Sequence, residues 1–345
     1  MTKHLVVLGF AKCGTSLLHE VFKEFDEFCT PIHKETNFFS MHWKRGLDHY
    51  HSKYDNYEQA ESEGKIFFDS SPTYMGNGYL EALARIKATL GDSGKYVICL
   101  RNPIYRAFSH YKHQINAYYA RYGFFTRKPR ENFQRVYNGS FFDEETINSS
   151  KIFEYYFDKL VAAENILGKE NIIYFMLEND IKKFDVFYRK VCALLEINYR
   201  PYFADKPLPR VLVGDYLSHY HYSKNKDLFL PYNNKLYTIK KGGLLLLNHR
   251  GNELFPDLSE QKVAECLAAS NRWTNFLPGE VAQEMFNKFF ARDCQAIEDN
   301  LGLDLSAWNK FKDKTSLKAE FSPQYVVEGV KKEAPEVSFQ SLVSV

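Results

Sequence analysis

Apolar residues along this chain follow two alternating patterns. Short, mainly apolar runs occupy 5–8, 65–68, 96–100 and 172–177, each rich in Val, Ile or Phe. Runs of that length without polar alternation suit strands covered on both faces, as in a parallel sheet. Helical spacing fills the segments between and after them, over 16–25, 79–89, 104–119, 152–167 and 184–195. Strand and helix in alternation predict an α/β fold, a parallel β-sheet flanked by helices. Such sheets bind ligands at the carboxyl ends of their strands.

The second half is less regular. An apolar run at 244–247 leads into a turn at 248–251, and Ser259 is a good N-cap for a helix to about 269. A longer helix is expected over 280–300, with Val281, Met285 and Phe289 on one stripe and Gly302 just beyond its end. After Trp308 the period fades. A single domain over 1–309 is expected, followed by a polar, weakly ordered tail over 310–345.

At 345 residues and 45% hydrophobic content, the chain is long enough for a substantial core. Aromatics are abundant, with 29 Phe and 24 Tyr, and most of these rings are expected in the core. The formal net charge of +2 gives no global signal for nucleic acid, so any basic patch is local. Six cysteines lie scattered without a C-x-x-C pair or a Cys/His cluster, so no metal is expected and reduced thiols are the simplest reading. No apolar stretch reaches the roughly 18–20 residues of a membrane span. The apolar run near the N-terminus is too short for a signal peptide, and a cytoplasmic location is expected.

Three constellations carry candidate chemistry. The first is Gly9-Phe-Ala-Lys12-Cys13-Gly14-Thr15-Ser16, where the first strand turns into a helix. Unpaired N–H groups of such a turn and the helix dipole make a cradle for an anion. The glycine spacing is that of a nucleotide-triphosphate loop, but the lysine lies inside the loop instead of after the second glycine. The second is Arg101-Asn-Pro103-Ile-Tyr-Arg106-Ala-Phe-Ser109, a strand that ends on an arginine fork and continues into a helix. Arg101 suits bidentate phosphate binding and Ser109 can donate to the same group. Capping of a sheet edge by an ion pair is the plainer use of such an arginine. The third is His33-Lys34-Glu35-Thr-Asn-Phe38-Phe39, with Glu35 beside an aromatic pair expected to desolvate it and favour general-base duty. His33 and His42 are rival bases.

Together these strings resemble the sulfotransferase superfamily that uses 3′-phosphoadenosine 5′-phosphosulfate. The Lys-Glu-x-x-Phe-Phe element is most similar to the heparan sulfate O- and N-sulfotransferase branch and related bacterial enzymes. Asp69-Ser-Ser-Pro72-Thr-Tyr74 resembles a Pro-Ser-Tyr segment of that branch, and Asn300 to Trp308 resembles its ending. The resemblance implies a P-loop-like sulfotransferase fold. It implies that Lys12, Cys13, Gly14, Thr15 and Ser16 bind the 5′-phosphosulfate, with Lys12 stabilising the leaving phosphate. Arg101 and Ser109 would hold the 3′-phosphate, Arg250 and Gly251 would belong to a late loop over the donor, and Glu35 would take the acceptor's proton. No metal is implied, and the product would be 3′,5′-adenosine bisphosphate. The chain departs from the branch at Ser70 and Ser40, where a lysine and an acid serve the acceptor.

The acceptor side is expected to draw on Glu35, His33, Ser70, Tyr74 and Arg121. Residues 101–135 hold Arg101, Arg106, Lys112, Arg121, Arg127, Lys128, Arg130 and Arg135 against Glu131 alone, with aromatic residues interleaved. Such a lip suits an anionic or glycan acceptor, and a small alcohol or amine stays open, as does a solvated basic surface. Two other classes compete: a P-loop kinase using ATP–Mg²⁺, with Asp69 as the metal's acid, and a non-catalytic polyanion-binding module.

Overall fold

The computed structural model describes residues 2–122, 152–201, 208–209, 221–222, 228–232, 235–239, 276–277, 279–312 and 314–315. The chain divides into two units, the first made of 1–106, 154–213 and 285–310, the second of 107–153, 214–284 and 311–345.

A five-stranded sheet in the order β2-β3-β1-β4-β5 forms the first unit, and every pairing in it is parallel. Its strands are β1 (His4–Gly9), β2 (Phe28–Cys29), β3 (Ile66–Ser70), β4 (Gly94–Leu100) and β5 (Ile172–Met176). Every residue of β1 and β3 is buried, which is why their sequences carry no polar alternation. Helices connect the strands: α1 (Thr15–Phe22), α2 (Leu47–His51), α3 (Tyr57–Ser62), α4 (Tyr79–Leu90), α5 (Pro103–Tyr122), α6 (Phe157–Leu167), α7 (Leu177–Asp180) and α8 (Phe184–Leu195). Asn102 caps α5. Its Oδ1 accepts the N–H groups of Ile104 and Tyr105 at 3.0 and 3.1 Å, and Pro103 follows where no N–H is needed.

Aromatic rings fill the core beside this sheet. Phe22 of α1 packs against Phe28 and Phe68 at ring separations of 4.8 and 5.1 Å. A second cluster joins Phe38 and Phe39 to Trp43, Tyr50 and Tyr74. Both phenylalanines are fully buried.

Several expected boundaries shift for physical reasons. β2 has no counterpart among the expected strands; it carries only two residues and exists through its pairing with Ile66 and Phe67. The helix expected from 152 starts at Phe157, because Asp293 accepts the N–H groups of Tyr156 and Phe157 and holds them out of register. The helix expected over 280–300 is two helices, α9 (Gly279–Phe289) and α10 (Ala291–Leu301). They part at Phe290, whose φ of −121° is not helical and whose ring is buried, 5.4 Å from that of Tyr155.

In the second unit β6 (His221–Tyr222), β7 (Leu228–Tyr232) and β8 (Lys235–Ile239) form an antiparallel sheet, and β9 (Phe276–Leu277) pairs antiparallel with β10 (Lys314–Thr315). The turn expected at 248–251, the helix expected over 259–269 and tail residues 316–345 lie outside the described residues. Among the described residues, no helix is long and apolar enough to cross a membrane, and no group of three or more His, Cys, Asp or Glu is placed to hold a metal.

Candidate active site

The carboxyl ends of β1, β3, β4 and β5 bring the first unit's candidate residues to one edge of the sheet. After β1 the chain turns through Lys12, whose φ is 69°, and Gly14, whose φ is 103°. A Cβ on Gly14 would lie 3.0 Å from Leu177 Cδ1 and 3.1 Å from Phe175 Cε1, so the turn needs glycine for conformation and for space. Gly14 is the N-cap of α1 and no side chain caps that helix. N–H groups at the start of a helix without a side-chain cap are of the kind that suits an anion. Cys13 points inward, buried, with its thiol pushed up to about 12 chiefly by burial, so it is a packing group and no nucleophile.

Lys12 is held well below an ordinary lysine, at about 8. Burial is the main cause; the positive charges of Arg101 and Lys34 add to it, and Glu35 opposes it. Arg101 donates from Nη1 to the Lys12 carbonyl at 3.1 Å, which ties the end of β4 to the loop after β1. Its Nε lies 3.8 Å from Glu178 Oε1, an ion pair too long for a hydrogen bond. The edge-capping use of Arg101 is thus present, and its side chain still keeps 22% exposure. Glu178 is itself fixed, accepting the Asn102 N–H and, at 3.2 Å, the indole N–H of Trp308. Asn102 donates to the Trp308 carbonyl at 3.0 Å. Behind the loop, Arg106 donates from Nε to the Ala11 carbonyl and pairs with Glu154.

Glu35 follows β2 and stands beside Lys34, whose Nζ lies 2.5 Å from Glu35 Oε1. The expected desolvation of Glu35 by Phe38 and Phe39 is corrected here. The two rings turn into the core, while the Glu35 side chain keeps 37% exposure and faces Lys34. His33 is exposed one residue before Lys34, and the ring of His42 lies against that of His49, 5.6 Å away.

Ser70 and Tyr74 were expected on the acceptor side, yet both are fully buried. Ser70 Oγ donates to the Thr15 carbonyl at 3.0 Å, and Tyr74 donates to Asp69 Oδ2 at 2.6 Å. Their hydroxyls hold backbone and carboxylate in place, so contact with an acceptor is not their job. Ser109 lies on α5 in the second unit. Arg121 is in the last turn of α5, with its side chain outside the described residues, as are Arg250 and Gly251 entirely.

Sequence reasoning missed the roles of Lys34, Asp69, Glu178 and Trp308 at this edge. A signal existed for Asp69, a charge closing a wholly apolar strand. Buried, it accepts hydrogen bonds from Thr36, Ser71 and Tyr74. Burial pushes its carboxyl up and those hydroxyls pull it back. Fully buried and committed to these hydroxyls, Asp69 is occupied in holding the segment around Thr36 rather than turned towards solvent.

Residues 2–227 match the family model described as the sulfotransferase domain. No curated protein matches the sequence. Among solved structures, a sulfotransferase from Alicyclobacillus acidocaldarius is similar at 19% identity, covering 90% of this chain and 100% of its own, with a TM-score of 0.47. The sulfotransferase domain of a Synechococcus olefin synthase is similar at 12% identity over 61% of this chain and 80% of its own, with a TM-score of 0.38. A mouse sulfotransferase complexed with PAP is similar at 15% identity over 58% of this chain and 61% of its own, with a TM-score of 0.34.

Proposed function

The chain belongs to the sulfotransferase domain family, and from that premise we propose that it moves the sulfuryl group of 3′-phosphoadenosine 5′-phosphosulfate to a hydroxyl or amine of a glycan or small-molecule acceptor. Residues 1–309 are the catalytic domain in this reading, and the motifs are closest to the heparan sulfate and related bacterial branch. The observation that carries it is the gathering of Lys12, Lys34 and Arg101 around an uncapped helix N-terminus. Arg101 and Lys34 both act to lower Lys12, and three cations so gathered, with Glu35 and Glu178 as the acids beside them, fit a polyanionic donor.

When bound, the donor supplies the sulfuryl group together with a phosphate that leaves. The α1 N–H groups, with Thr15 and Ser16, hold the 5′-phosphosulfate, and Lys12 balances the charge that gathers on the leaving oxygen. Arg101 takes the 3′-phosphate, with Ser109, Arg250 and Gly251 as its proposed helpers. Glu35 accepts the proton of the acceptor's hydroxyl or amine, and the exposed His33 stands next to that path. Lys34 keeps the Glu35 carboxylate aimed while no acceptor is present. Ser70 and Tyr74 serve from behind, holding α1 and the Glu35 segment.

Thermal denaturation with 3′,5′-adenosine bisphosphate, ATP–Mg²⁺ or heparin tests this reading. The bisphosphate should raise the midpoint by several degrees at concentrations of about 100 times its Kd, near 2.7 kcal/mol of linkage. Stabilisation by ATP–Mg²⁺ without the bisphosphate would overturn it in favour of a kinase. Stabilisation by heparin alone would favour a polyanion-binding module.

A further inference from the structure

We propose that Asp69 is a positioning residue for Glu35, acting through Thr36, Ser71 and Tyr74. The inference rests on Glu35 as the base in the reading above. Glu35 and Asn37 both have left-handed backbone, with φ of 70° and 50°, on either side of Thr36. Neither is glycine, so neighbours must hold that shape. Thr36 is buried, and its Oγ1 donates to Asp69 Oδ2 at 2.7 Å. The same Oγ1 accepts the Phe38 N–H at 3.3 Å. On the other oxygen, Ser71 Oγ donates to Asp69 Oδ1 at 2.7 Å and accepts the Asn37 N–H at 3.0 Å. Asn37 is held again by Thr73, whose hydroxyl donates to Asn37 Oδ1 at 2.7 Å, and Asn37 Nδ2 donates to the Glu35 carbonyl at 3.3 Å.

Asp69 is fully buried, and no ion pair to it occurs among the described residues. A buried carboxylate without a cation is costly to keep unless its hydrogen bonds do something. Three hydroxyls, each with one hydrogen, all direct it at this carboxylate. The next residue completes the device. Ser70 fastens the first residue of α1, while Asp69 fastens the segment that carries Glu35. Adjacent residues of one strand point to opposite faces, so the end of β3 sets the base and the donor loop from a single rigid point.

The test is amide hydrogen exchange on the full-length chain, with and without 3′,5′-adenosine bisphosphate, for wild type, Asp69→Asn, Thr36→Val and Thr36→Ser. An asparagine offers Thr36 and Tyr74 an NH₂ group where they need a lone pair, and valine removes the hydroxyl. Both should speed exchange at the Asn37 and Phe38 amides by about tenfold or more while β1 and the body of α1 from Leu18 onward stay protected. Thr36→Ser keeps the hydroxyl and should exchange as wild type does. Bisphosphate affinity should stay within about twofold in all three, since the donor loop is held by Ser70. Unchanged exchange at Asn37 and Phe38 in both Asp69→Asn and Thr36→Val would overturn the proposal. So would equal acceleration across β1 and β3, the mark of a plain loss of stability. Failure of the wild-type chain to bind the bisphosphate would instead sink the donor reading and leave the exchange result to decide this one.

Discussion

Lys12 enters the folded state with its ammonium disfavoured by burial and by the charges of Arg101 and Lys34, and near pH 8 it is half protonated. A phosphate set against it would restore the proton, so binding of 3′,5′-adenosine bisphosphate should take up close to half a proton at that pH. Above pH 8 the affinity should fall by up to about tenfold per pH unit, because the free site must first regain the proton that the bound site keeps. Calorimetry in buffers of different ionisation enthalpy measures both effects. Lys12→Met should bind more weakly with no such slope, and a wild-type affinity flat from pH 7 to 9 would contradict the assignment. Stability has the matching sign: the folded pKa of Lys12 lies below its unfolded value of 10.5, so this group's penalty is full below pH 8 and fades as pH rises towards 10.5. Glu35 shows a second kind of cost. Its left-handed backbone, with that of Asn37, stores on the order of 1–3 kcal/mol per residue. The sequence shows Glu35 beside two phenylalanines. It does not show that those rings belong to Trp43, Tyr50 and Tyr74 instead, because that depends on contacts made only after folding.

The loop and α1 act as one element, and Gly14 is its pivot. Gly14→Ala forces a left-handed alanine against Leu177 and Phe175, tilting the first N–H groups of α1. It should lower stability by about 1–2 kcal/mol and weaken bisphosphate binding as well. Gly64→Ala is the control, since Gly64 is also left-handed, with a φ of 69°, but has nothing within 4 Å of the added carbon. It should cost stability alone, as read by denaturant titration and calorimetry. Elements also differ in how plainly the sequence announces them. β1, β3, β4 and β5 are legible because a run of buried apolar residues has few other uses. β2 is not, since two residues form no pattern and are a strand only beside Ile66 and Phe67. The break at Phe290 carries no glycine or proline, and the late start of α6 is imposed by Asp293, more than 130 positions further on. The glycine turn after β1 and the arginine at the end of β4 are legible as local strings. Asp69, Glu178 and Trp308 are not, because each acts on a partner distant in sequence.

At the scale of the whole molecule a formal net charge of +2 hides a sheet edge where Lys12, Lys34 and Arg101 converge with Glu35 and Glu178 as their counter-charges. That edge is braced from far along the chain by Trp308, fully buried against Asn102 and Glu178. Trp308→Ala should cost about 3–5 kcal/mol and also loosen Glu178 and with it Arg101, so bisphosphate affinity drops by tenfold or more. Phe187→Ala, in the packing of Phe175 and Phe184, should lower stability similarly with affinity little changed. Equal affinity loss in both variants would show that the brace has no special part.

The contact between Asn102 and Trp308 joins positions 206 residues apart. A growing chain therefore completes this edge of the sheet late. β1 to β5 can pair once residue 176 has cleared the ribosome, but Glu178 and Asn102 wait for the tryptophan. Synthesis thus delivers the sheet first, and the brace on Asn102 and Glu178 only after residue 308 has emerged.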